Sequence, residues 1–105
     1  MGSGVVSTAP IGGAGEKPKT ARAWRLGAAL ARVDAEKLEA SRLAADVFAT
    51  GRSTEKEGER LFGERDWNAA QASFERAARL FHEAETAARE ERVRRVRLLP
   101  ADSSK

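Results

Sequence analysis

The sequence predicts an all-α fold: three helices over about residues 20–50, 54–64 and 66–98, two of them an antiparallel hairpin packed with the long N-terminal one. Three observations predict it. Alanine is abundant while glycine and proline sit mostly toward the ends, and alanine enters a helix without losing side-chain entropy. Large and small apolar residues recur at alternating gaps of three and four from Trp67 to Ala88, the spacing of a helix seam. Start signals at Thr20, Thr54 and Asp66 divide the helical stretch.

Residues 1–19 are rich in glycine, alanine, serine and proline. They hold too little apolar bulk to outweigh ordering entropy and are expected to be a disordered lead. Gly12 to Gly15 followed by Glu16-Lys17 lacks both the glycine–lysine spacing and the preceding strand of a phosphate loop. The lead also lacks the charged start and unbroken apolar run of a secretory signal. No stretch approaches twenty consecutive apolar residues, so the expected location is cytoplasmic.

In the first helix Thr20 is the expected N-cap. Leu26, Leu30, Val33, Ala44, Val47 and Phe48 share one face, which Trp24 and Leu38 widen. Gly51 is placed as the left-handed residue that closes the helix. Thr54 to Glu57 then reads as a capping box opening a short second helix, with Leu61 and Phe62 as its large apolar residues. Gly58 leaves a gap for a neighbouring helix, and Gly63 with Glu64-Arg65-Asp66 ends the element.

Asp66 caps the third helix. Its seam is Trp67, Ala70, Phe74, Ala77, Phe81, Ala84 and Ala88. Leu61, Trp67, Ala70, Phe74, Ala77 and Phe81 are the expected helix-packing core. The seam beyond Phe81 outruns the short middle helix, so Phe81, Ala84 and Ala88 are expected to face another helix, from a second copy or a different protein. Pro100 ends the pattern, and residues 100–105 are expected to be a disordered tail.

Gly58, Leu61, Asp66-Trp67, Ala70, Phe74 and Ala77 resemble one divergent tetratricopeptide repeat, roughly Thr54 to His82. In that family a small and an aliphatic residue mark the first helix, and an aromatic, alanine, aromatic, alanine row marks the second. This chain departs from the pattern with Thr54 and Glu57 early in the first helix, Arg65 in the turn and His82 where a closing proline is common. No second copy occurs at that period. The resemblance implies a helical hairpin used for protein contacts.

Reactive chemistry has little to work with. The chain has no cysteine and a single histidine, His82. His82 and Glu85 fall short of a metal-ligand set. Many of the carboxylates sit three or four residues from an arginine, as Glu75 does from Arg79. The expected function is therefore non-catalytic protein–protein interaction or scaffolding, with no cofactor, metal or small-molecule substrate. The net charge of +3 is mild. Arg92, Arg94, Arg95 and Arg97, interleaved with Val93, Val96, Leu98 and Leu99, give the alternative of weak binding to an anionic surface, nucleic acid or acidic membrane. The plainer account is that cations collect at a helix C-terminus, where the dipole favours them.

Overall fold

The computed structural model describes the backbone of residues 3–98 and the side chains of residues 16–98. It is all-helical: α1 Ser3–Lys37, α2 Ala40–Leu43, α3 Ala45–Gly63 and α4 Trp67–Arg97, with no strand among the described residues. The expected tail at 100–105 and the stop at Pro100 lie outside them.

The helix boundaries differ from the expected ones, and side chains show why. Thr20 does not cap α1. Its hydroxyl donates 2.9 Å back to the Glu16 carbonyl from inside a helix that already runs from Ser3, so the boundary between lead and helix expected at Thr20 is absent. The long first helix breaks earlier than expected, at Leu38 to Ala44. Glu39 takes a left-handed backbone at φ 60°, and Ala44 leaves the helix at φ −137°. The predicted break at Gly51 does not occur, since α3 runs straight through it and no glycine among the described residues has positive φ. Nor does Thr54 form a capping box: its hydroxyl donates 2.8 Å to the Thr50 carbonyl within α3.

Asp66 does cap α4, its carboxylate accepting from the Ala69 amide at 3.4 Å. The turn before it is a Schellman motif. The Asp66 amide donates to the Leu61 carbonyl at 3.0 Å and the Arg65 amide to the Phe62 carbonyl at 3.0 Å, with Arg65 left-handed at φ 64°.

Helix directions follow from the pairs that cross them. A Cβ on Gly51 would meet the Phe81 ring and one on Gly58 the Phe74 ring, so α3 and α4 run antiparallel. Arg25 reaches Glu59 at 2.8 Å and Arg32 reaches Glu55 at 3.0 Å, so α1 and α3 are antiparallel too, and α1 lies parallel to α4. The two outer helices pack extensively on α4 and touch each other little.

Phe74 and Phe81 are the largest side chains wholly removed from solvent. Each ring lies over a glycine of α3. An interior glycine costs a helix roughly 0.5–1 kcal/mol relative to alanine, whereas burying a phenylalanine contributes about 1.5–3 kcal/mol, so α3 gains by keeping both. Phe48 joins this layer, its ring 5.3 Å from that of Phe81. On the other side of α4 the packing is methyl on methyl: Ala28, Ala31 and Ala35 of α1 share one buried cluster with Ala70, Ala77, Ala84 and Ala88 of α4.

Candidate interaction surface

The structure sorts the expected core residues into two groups. Ala70, Phe74, Ala77 and Phe81 are buried, whereas Leu61 and Trp67 are half-buried at the hairpin end. There Phe62 meets the Trp67 ring edge-on at 5.1 Å, and the Arg25 guanidinium sits 4.8 Å above the Phe62 ring. The expected partner surface is corrected outright. Phe81, Ala84 and Ala88 have no exposure, because α3, longer than predicted, and the alanine face of α1 already cover them.

The arginine-rich end is exposed but largely paired. Arg94 and Arg95 both bond Glu91, Arg95 at 2.9 Å. Arg92 donates to the Leu38 carbonyl at 3.3 Å and lies 3.7 Å from Glu39, which ties the end of α4 to the break after α1. Arg97 has no ion pair among the described residues. Val93, Val96 and Leu98 stand exposed between these arginines.

Electrostatics elsewhere is that of a solvated surface. The Arg42 side chain hydrogen-bonds Glu39 and holds its carboxyl below the ordinary value, helped by Arg92. Arg60 does the same for Glu57, and Arg95 with Arg94 for Glu91. None of these groups is raised toward neutrality, as a carboxyl general acid would be. His82 is exposed, 3.7 Å from Glu85. Among the described residues, no group of three metal-binding side chains forms and no helix is long and apolar enough to cross a membrane.

The large residues on the apolar face expected of the first helix are turned outward in α1. Leu26 is 60% exposed, Leu30 56%, Val33 38% and Trp24 36%. Buried in their place are Ala21, Ala28, Ala31 and Ala35. The signal was present: Ala21, Ala28 and Ala35 recur every seven residues, the same repeat as Ala70, Ala77 and Ala84 on α4. Beside the exposed stripe, a groove of about 590 Å³ runs between α1 and α3. Ala23, Leu26 and Ala29 line its apolar part, Lys19 and Arg22 its rim, and the Arg32–Glu55 pair its α3 side.

The sequence matches no protein-family model, and no curated protein or solved structure is significantly similar to it.

Proposed function

We propose that the chain is a non-catalytic protein–protein interaction module that binds through the outer face of α1. One observation carries this reading. The core is built largely from alanine, while Leu26 and Leu30, which would fill a core, stand more than half exposed next to a groove. A large apolar side chain left in water contributes little to folding, and several grouped on one face mark a contact surface. The resemblance of Thr54 to His82 to a tetratricopeptide hairpin belongs to the same reading, and the Gly58–Phe74 approach supports it.

The double substitution Leu26→Glu with Leu30→Glu tests it. Both sites are exposed, so the melting temperature is expected to stay within about two degrees of the parent, as for surface changes of about 0.5 kcal/mol or less. A photo-crosslinking residue at position 30 should capture a defined protein in the source cell, and one at position 76 on the far side of the bundle should not. Capture that is indifferent to position, or a variant that melts far below the parent, would refute the assignment of this face.

A second reading keeps the arginine-rich end as an anion-binding element, supported by the exposed Val93, Val96 and Leu98. It has less behind it, because Arg92, Arg94 and Arg95 already lie on protein acceptors. Replacing Arg92, Arg94, Arg95 and Arg97 by glutamine should then leave binding to anionic vesicles and duplex DNA at low salt unchanged.

A further inference from the structure

The exposed face of α1 has a sharper pattern than apolarity. Lys19, Ala23, Leu26, Leu30, Val33 and Lys37 follow one another at gaps of four, three, four, three and four. That is a complete heptad seam. At 3.6 residues per turn it lies about 180° round the helix from the Ala21, Ala28, Ala35 row that packs inward. α1 thus carries two seams: a buried one of alanines for its own chain and an outer one of bulkier residues that its own chain leaves exposed. The outer seam is closed at both ends by a lysine, and neither lysine has an ion-pair partner among the described residues.

We propose, resting on the assignment of this face as a contact surface, that the outer seam of α1 docks a single helix of another protein. The apolar stripe of that helix is bounded at both ends by acidic residues. The lysines are 18 positions apart, about 27 Å at ~1.5 Å per residue. The partner's acids stand at matching separation, and between them its apolar side chains interdigitate with Leu26, Leu30 and Val33.

Charge selects this occupant over two others. In a second copy aligned antiparallel about the middle of the stripe, Lys19 of one chain meets Lys37 of the other, and aligned in parallel each lysine meets itself. Like charges facing each other across a seam disfavour both pairings. An anionic bilayer would meet Arg22 on one margin of the stripe but Asp34 on the other. A membrane-surface helix instead carries cations along both polar margins and a broader apolar face than Ala23, Leu26, Leu30 and Val33 provide.

Two synthetic helical peptides provide the test. Both present leucines at alternating three- and four-residue spacing. One places glutamate and the other lysine at the two seam ends, and circular dichroism shows them equally helical. Fluorescence anisotropy with the full chain at low salt is expected to show the glutamate-ended peptide binding about five-fold more tightly, the scale of two exposed ion pairs. The Lys19→Glu, Lys37→Glu double variant, at exposed positions and with an unchanged circular dichroism spectrum, should reverse that preference, and Leu30→Glu should weaken both peptides. Equal affinities, or a preference that survives the double variant, overturn the charge-bounded partner. If Leu30→Glu still abolishes binding in that case, the contact face itself stands. Binding by neither peptide overturns both. Two further outcomes overturn the inference in favour of another occupant: a sedimentation dimer lost on Leu30→Glu, or anionic phosphatidylserine vesicles bound by the parent and released by the same substitution.

Discussion

Among the described residues, two hold a left-handed backbone without being glycine, Glu39 at φ 60° and Arg65 at φ 64°. For an L-residue that conformation costs roughly 1–2 kcal/mol. Arg65 occupies the position of a Schellman turn that usually carries glycine, and its side chain makes no hydrogen bond or ion pair among the described residues. Arg65→Gly is therefore expected to raise stability by about 1 kcal/mol, read as a higher midpoint in urea. A lowered midpoint would mean that the guanidinium does something the turn needs. Glu39 is different, since its carboxylate is held by Arg42, and glycine there would trade relief of strain for loss of that pair. The glycines themselves sit where no turn exists. A Cβ at Gly51 or Gly58 would come within 2.8 Å of a phenylalanine ring, whereas one at Gly63 meets nothing within 4 Å. Gly51→Ala and Gly58→Ala should each destabilise by about 1–3 kcal/mol through overpacking. Gly63→Ala should be neutral or stabilising by up to about 1 kcal/mol. Three equal effects would contradict the packing of α3 on α4. The gap at Gly58 is legible in the sequence, whereas Gly51 resembles a helix stop there because its partner ring lies thirty residues further along the chain.

At the scale of elements, helix ends are set by side chains whose partners lie across the fold. The α3–α4 turn was legible because its signal is local: Asp66 caps the amide three residues on. The α1–α3 break was not, since it depends on a strained Glu39 and on Arg92 reaching back from α4 to the Leu38 carbonyl. Nor could hydropathy alone choose between two faces of α1. Both are apolar, and the larger residues lost to the smaller because α4 offers an alanine row that admits only close approach. The end of α3 carries its own pH dependence. Glu57 is held below its ordinary value of 4.5 by hydrogen bonding from Arg60, which also reaches Glu64 at 2.8 Å. A carboxyl depressed in the folded state stabilises it above the unfolded value, and that contribution is lost as pH falls through the folded value. Stability should accordingly be flat above about pH 5 and decline below 4.5, the Glu39, Glu57 and Glu91 pairs contributing together. Glu39 and Glu57 are exposed and Glu91 is half-buried, so most of the decline should shrink at high salt. In Arg60→Gln the part belonging to Glu57 should vanish, as acid titrations followed by circular dichroism would record. An acid profile identical to the parent's would show that the Arg60 pairs contribute nothing to folding.

For the molecule as a whole, α4 is the shared wall. The radius of gyration is 20.0 Å, against about 13 Å for a compact chain of this length. The protein is thus a rod with a thin core, in which Phe74 and Phe81 are the only large side chains wholly buried among the described residues. Truncating either to alanine costs about 3–5 kcal/mol, a large part of the 5–15 kcal/mol available to a domain of this size. Phe81→Ala is expected to leave little folded protein at 37 °C. The outer helices, by contrast, depend on α4 and hardly on one another. Their direct links are the Arg25–Glu59 and Arg32–Glu55 pairs and the cation over Phe62, and partly exposed pairs of this kind contribute little. Openings that release α1 from its alanine seam can therefore leave the α3–α4 hairpin closed, while nothing can release α4 without dissolving the whole. Native-state hydrogen exchange should rank the elements accordingly. Amides of α4 between Ala70 and Ala88 should exchange last and only by global unfolding, those of α3 between Phe48 and Gly58 next, and those of α1 first. Ala28→Leu, which overfills the α1 seam, should lower protection in α1 by at least tenfold and leave α3 and α4 close to the parent. Uniform loss of protection across all three helices in that variant would show that α1 is part of a single cooperative unit and that the hairpin does not stand without it.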